Sequence, residues 1–351
     1  MAVDIAFTKA LPKVELHAHL TGSISVTTLH EIWQARKDSD ASFSMEDPLA
    51  ALPLDKVSYD VVTFFPLFDS YIYDLCSSVA AIRHATLQVL RDFRDDGVRY
   101  LELRTTPREN AAAGVTKETY VSTVLSCLDE FAAAASAGSE LDMMPTHLIL
   151  SVDRRNTAAQ AMQTVELAVR FQARGVVGVD LCGNPARGDV AAFGEAFARA
   201  REAGLKVTLH FAEIAESATR RELQALLGFR PDRLGHVIHV PDDLRDEIAR
   251  RDIGLELCLS CNVHAKLIPG GFADHHFGYW KDTGCSISLC TDDVGIFRSS
   301  VSNEYLLAAE HFSLGRADLL KLSKRAVDSI FGGETEKERM RRLLTEFEAS
   351  L

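Results

Sequence analysis

The residues of this chain best suited to chemistry are few and unevenly spaced: His17 and His19 on either side of Ala18, His210 followed at three residues by Glu213, His236 in Arg-Leu-Gly-His, and the acidic pair Asp292 and Asp293. Two residues apart on a strand means one face, so both imidazoles of His-Ala-His can turn toward a single ion. Adding His210 and Asp292 gives three neutral nitrogens and one carboxylate, a set that suits zinc and leaves a position open for water. Bound zinc would bring the pKa of that water toward neutrality, and something must still move protons. Glu213 can serve as general acid and base. His236 can hold or stabilise the attacking hydroxide, and Asp293 can direct an oxygen at a substrate donor or a protonated ring nitrogen. Each has an ordinary reading when taken singly: a satisfied core histidine for His210, a turn or helix cap for Asp292, a solvated loop carboxylate for Asp293. Their joint position at the ends of apolar runs does not.

Those runs are the elements that must position them. Eight short aliphatic stretches recur: Lys13 to Leu20, Val98 to Thr105, Thr146 to Asp153, Val176 to Leu181, Leu205 to Phe211, Arg233 to Val240, Gly254 to Ser260 and Ser286 to Thr291. Most are separated by segments of helical periodicity, and near-continuous apolarity means burial on both faces. The expected fold is therefore α/β, a (β/α)8 TIM barrel, whose active sites lie at the C-terminal strand ends. Thr157 to Phe171, Val190 to Ala203 and Asp242 to Arg251 read as helices, the last opened by an acidic cap, with Gly175, Gly204 and Gly254 at helix-to-strand turns. The long stretch between the first two runs, aromatic-rich from Tyr59 to Tyr73, is expected to be a helical insertion forming a lid. Ser299 to Leu351 is expected to be helical and to close the barrel exterior.

With 351 residues, 47% of them hydrophobic, the chain can bury one large core, so residues 1–351 are expected to form one domain. The net charge of −12 argues against nucleic-acid or membrane partners. No signal-peptide pattern or spanning apolar run is present, and seven cysteines suit a reducing compartment, so a soluble cytosolic protein, acting as a monomer, is expected. Cys258 and Cys261 have CxxC spacing but no second pair, and on a strand that offset sends the thiols to opposite faces. The fourth run ends Val-Asp-Leu-Cys-Gly-Asn, without the lysine that bridges two metals in many HxH barrel hydrolases, so one zinc per chain is expected. A different zinc pattern, HxE with PCxxC, is also missing.

Leu-Pro-Lys-Val-Glu-Leu-His-Ala-His-Leu, the span His210 to Glu213, Arg-Leu-Gly-His236 and Cys-Thr-Asp292-Asp293 resemble the adenosine deaminase family in order and spacing, over nearly the whole chain. Leu103 to Arg108, Ser151 to Arg155, Leu181 to Pro185, Thr291 to Phe297 and Ser302 to Tyr305 resemble its adenosine-deaminase-like branch, the N6-methyl-AMP deaminases. The resemblance implies zinc on His17, His19, His210 and Asp292, Glu213 as proton donor, and His236 beside the hydroxide. It implies purine contacts from His19, Gly183 and Asp293, and nucleotide contacts from Thr105, Thr106, Pro107, Arg108 and Asp153. Two hydroxyls and a guanidinium can receive a phosphate. The sequence departs from the branch at Thr21, where asparagine is usual at a substrate-touching position, at Ala212 in place of the glycine of HxGE, and at Val237. A lid histidine of the branch has Tyr71 or Tyr73 as its candidate replacement. The implied reaction is N6-methyl-AMP and water to IMP and methylamine. The competing readings are an adenosine deaminase acting on the nucleoside and an inactive purine-binding protein, whose mark would be a lost ligand or a lost Glu213. Neither loss is seen.

Overall fold

The computed structural model describes residues 2–53, 56–57, 61–135 and 143–351. Among them, eight parallel strands follow one another around a single sheet in chain order: β1 (Lys13–His19), β2 (Val98–Thr105), β3 (Thr146–Asp153), β4 (Val176–Cys182), β5 (Lys206–Phe211), β6 (Arg233–His236), β7 (Gly254–Leu257) and β8 (Ile287–Leu289). The ring closes between its ends: Asp292 N donates to His17 O at 2.8 Å and His19 N to Asp292 O at 3.0 Å. Closure itself therefore sets Asp292 beside the two histidines of β1. This is a (β/α)8 barrel, with helices packed between successive strands.

Several strand ends fall short of the apolar runs. Leu20 lies outside β1, β6 stops at His236, β8 spans only Ile287–Leu289, and β7 stops at Leu257, giving way to the helix Leu259–His264. Cys258 and Cys261 thus sit at the opening of a helix, not on a strand, and the opposite-faces argument fails for them. The helix at Thr157 starts as its sequence predicts, with a capping box between Thr157 and Gln160. The segment from Val190 opens as a 3-10 turn (Val190–Phe193) before the α-helix Gly194–Glu202. The helix Asp242–Arg250 begins after Pro241 with no side-chain cap, and its acidic residues lie in the first turn, where they favour the positive end of the helix dipole.

The insertion after β1 is helical, with helices at Val26–Ser39, Pro48–Ala51, Val61–Leu67 and Val79–Asp95. Tyr59 lies outside the described residues. Val61–Leu67 runs directly into a π turn, Phe68–Ile72, then a short turn of helix, Tyr73–Leu75. Pro66 cannot donate to the helix ladder, and a one-residue π excess just after it re-aims the following side chains. After β8 the chain is mainly helical (Val301–Phe312, Arg316–Ala326, Glu334–Ala349). Among the described residues no helix is long and apolar enough to cross a membrane.

The barrel interior is less apolar than its strands suggest. Glu102, Arg104, Asp180, Arg233 and Glu256 are all fully buried, and Glu102, Asp180 and Glu256 are each flanked on their strands by apolar residues. Arg104 pairs with Asp180 at 3.2 Å and with Glu256 at 2.7 Å, and Arg233 with Glu256 at 2.5 Å and Glu102 at 2.6 Å. Charges this deep survive only when paired and hydrogen-bonded.

Candidate active site

At the C-terminal ends of the strands, β1 contributes His17 and His19, β5 contributes His210, and the segment after β8 contributes Asp292. Their ligand atoms all lie within 4.8 Å of one another. His210 Nε2 is 3.2 Å from His17 Nε2 and 3.1 Å from His19 Nε2, while Asp292 Oδ1 is 3.3 Å from both His17 Nε2 and His19 Nε2. These separations are close to the edge of a tetrahedron whose centre lies about 2.0–2.1 Å from each ligand, the zinc distance.

The protons say the same. Glu256 Oε2 takes the Nδ1 proton of His17 at 2.6 Å, and Asp180 Oδ1 that of His210 at 3.1 Å. The two Nε2 atoms then face each other at 3.2 Å, and the lone pair of His210 Nε2 needs a proton on His17 or a cation between them. Burial holds His210 down at about 3, so its ring is neutral, the form that ligates. Burial and Arg104 oppose charge on His17, yet the Asp292 and Glu256 carboxylates push it up to about 9, showing how strongly this spot favours a positive charge. The donor set fits a divalent cation, with His17, His19, His210 and Asp292 as the residues that would hold it.

The charged layer beneath the site orients this set. Glu256, held well below the usual carboxylate range by Arg104 and Arg233 against the opposing effect of burial, also accepts from Thr208 at 2.8 Å. Glu256→Gln is expected to weaken metal affinity by about 10- to 100-fold, the usual effect of losing a carboxylate behind a ligating histidine, as measured by competition with a chelator. Unchanged affinity would remove Glu256 from the site. This layer was not read from the motifs, and Cys261 was read only as half of a CxxC pair, not as a partner of Asp292. Cys261 Sγ donates to Asp292 Oδ2 at 2.9 Å, and burial pushes its thiol well above the usual range, so it remains a neutral donor. The signal available was a lone charge amid apolar residues on each strand, as in Leu-Glu256-Leu and Val-Asp180-Leu.

Close approach is made possible by two glycines. A β-carbon on Gly235 would lie 2.5 Å from His17 Cε1, and one on Gly22 would lie 1.4 Å from Asp293 Oδ1. Ala212 adopts φ 52°, the left-handed conformation that explains why glycine is the usual residue of HxGE. His236, Val237 and Asp292 are left-handed too, at φ 63°, 49° and 60°. For β-branched Val237 this is a costly conformation, and all four lie at the strand ends that carry the site.

Glu213 and His236 stand beside the ligand set. His236 is fully buried, its Nδ1 donating to Asn262 Oδ1 at 3.1 Å, which leaves Nε2 as a lone pair 4.0 Å from Glu213 Oε1 and 3.8 Å from Asp292 Oδ2. That Nε2 has no hydrogen-bond partner among the described residues, and burial lowers the ring to about 4. Burial and then the charge of Asp292 push Glu213 up to about 8. The same two influences hold Asp293 well above the carboxylate range.

His19, Thr21, Thr105, Thr106, Arg108, Asp153, Gly183, Glu213, Asp292 and Asp293 line one cavity, together with His210 and the lid side chains Phe64, Phe65, Phe68, Asp69 and Tyr73. Pro107 is not among its lining and borders a neighbouring cavity instead. The Thr105 hydroxyl is engaged with Tyr120 Oη at 2.7 Å, and that of Thr106 makes only a long contact with Cys182 Sγ at 3.6 Å. Of the lid tyrosines, Tyr73 faces the cavity, while Tyr71 donates to Glu46 O at 2.5 Å. The cavity holds about 70 Å³. A ligand of nucleotide size needs roughly 300 Å³ or more, so the aromatic wall from the lid must move to admit one.

Comparison with known proteins gives the same architecture. The adenosine deaminase family profile matches residues 12–347. The human protein named N6-Methyl-AMP deaminase is 37% identical over 345 residues, 96% of this chain and 93% of that one. A crystal structure of an Arabidopsis N6-mAMP deaminase superposes with a TM-score of 0.87 at 33% identity, covering 97% of this chain and 99% of that one. A structure described as an ADAL-IMP complex gives 0.88 at 32%, covering 99% and 100%. Similarity of this extent, running through every strand that carries a site residue, places the chain in the adenosine deaminase family.

Proposed function

We propose that the protein is a hydrolytic purine deaminase converting N6-methyl-AMP and water to IMP and methylamine, with one zinc held by His17, His19, His210 and Asp292. The observation that carries this reading is the convergence of three imidazole nitrogens and a carboxylate at the barrel mouth, beside a buried proton-bearing Glu213. Relatives at this similarity named for the same substrate, and a structural neighbour described with IMP, support it.

Bound there, zinc supplies a water-derived nucleophile at neutral pH. Glu213 delivers its proton to the ring nitrogen next to the six-carbon as the carbon–oxygen bond forms, which spares the ring a negative charge. The lone pair of His236 Nε2 accepts from the attacking water and steers it toward that carbon. As the carbon–nitrogen bond breaks, the departing amine takes up a proton through Glu213, and the carbonyl of the product remains. Asp293, held above the carboxylate range by burial, can donate to a ring nitrogen that carries no proton. His19, Thr21 and Gly183 border the space for the base, Asp153 the sugar side, and Thr105, Thr106 and Arg108 the phosphate, with Pro107 shaping that loop.

The test compares kcat/KM for N6-methyl-AMP, AMP, N6-methyladenosine and adenosine. The nucleotides are expected to be preferred, and N6-methyl-AMP above AMP. Arg108→Ala should lower kcat/KM for N6-methyl-AMP by about 10- to 150-fold, the worth of one charge-assisted hydrogen bond, and lower that for N6-methyladenosine far less. A wild-type preference for the nucleoside would move the assignment to adenosine deaminase.

A further inference from the structure

Three arginines line the cavity: Arg104 is engaged with Asp180 and Glu256 beneath it, and the other two, Arg155 and Arg108, are not equivalent. Arg155 is neutralised: its Nε and Nη2 donate to Asp153 at 2.9 and 2.7 Å, and its Nη1 reaches across to Asp69 Oδ2 on the lid at 2.6 Å. Arg108 has no carboxylate partner among the described residues. It lies instead on the ring face of Tyr73, its central carbon 3.0 Å from the ring centroid.

The pair stands between the inner cavity and a second one of about 350 Å³, both of which Tyr73 and Arg108 line. The outer cavity carries the carboxylates of Asp74 and Glu109. Their negative charge pulls the Arg108 guanidinium outward. The aromatic face prevents that without cancelling the charge, because a ring attracts the flat of a guanidinium while its N–H edge stays free to donate.

We infer that Tyr73 is a positioning residue for nucleotide specificity: its ring holds the Arg108 guanidinium on the inner side of the boundary, edge toward a 5′-phosphate. The inference rests on the nucleotide reading proposed above. Because Tyr73 belongs to the lid, just after the π turn, a lid movement that admits the ligand also moves the ring that holds Arg108.

The experiment measures the ratio of kcat/KM for N6-methyl-AMP to that for N6-methyladenosine in the wild type, Tyr73→Leu, Tyr73→Phe, Arg108→Ala and Tyr73→Leu/Arg108→Ala. Tyr73→Leu should lower the ratio by about 3- to 30-fold, mainly through KM for the nucleotide, and Tyr73→Phe, which keeps the ring face, should restore it. The double variant should match Arg108→Ala alone, since a residue acting through Arg108 has nothing left to position. A ratio unchanged in Tyr73→Leu, equal losses on both substrates, or additive losses in the double variant would overturn the role of Tyr73. A wild type with no preference for the nucleotide would overturn the substrate reading itself, and is distinguished because it precedes any variant.

Discussion

Glu213→Gln is expected to retain its metal and to lose roughly 10²- to 10⁴-fold in kcat, the range of a positioned general acid–base group. Glutamine preserves the shape of the side chain and can still donate a hydrogen bond, but it cannot release a proton to the ring or take one for the amine. The effect should be large because the surroundings of Glu213 suit it to proton transfer. Burial, then the charge of Asp292, push it up to about 8, so it carries its proton at neutral pH. The working form is the protonated one. The wild-type kcat/KM should therefore fall on the alkaline side as Glu213 loses its proton, and that limb should be missing from the residual activity of Glu213→Gln. Steady-state kinetics across pH on metal-counted protein provides the check, and near-normal kcat at neutral pH would remove Glu213 as the proton carrier.

The second large effect concerns the ligands. His17→Ala, His210→Ala and Asp292→Ala are each expected to abolish both metal binding and turnover, with the wild type carrying close to one zinc per chain by elemental analysis. Losing a ligand should exceed the effect of losing Glu256, which only orients one. Removing an imidazole also leaves the remaining Nε2 atoms, 3.1–3.3 Å from their neighbours, without the cation that reconciles them. Two tightly bound metals per chain, or full activity in metal-free protein, would overturn the mononuclear reading. The same logic predicts that chelation lowers the melting temperature and that added zinc restores it, since an ion that binds only the folded state stabilises by mass action.

Much of this site was legible because strand periodicity and chemistry agree. His17 and His19 are two apart on β1, a spacing that can only mean one face, and His210 and Asp292 each follow an apolar run. The insertion was legible as too long for one helix, but its π turn was not, because a one-residue excess leaves no mark on composition. The strand ends at Leu257 and His236 were overrun for a related reason: Cys258, Leu259, Val237 and Ile238 are as apolar as any strand residue, and what ends the strands is left-handed backbone at His236 and Val237 and a helix start after Cys258. The buried layer of Arg104, Asp180, Arg233 and Glu256 was hidden by the general rule that barrel interiors are aliphatic. Here the layer supplies the carboxylates that fix the tautomers of His17 and His210, a need visible only once the histidines are in place.

The most direct test of the central claim is the product formed from N6-methyl-AMP in ¹⁸O-labelled water by enzyme of known zinc content. The account predicts IMP carrying one ¹⁸O at the six-position, with one equivalent of methylamine released per IMP formed. Unconverted N6-methyl-AMP alongside turnover of the nucleoside, or IMP without the label, would contradict it.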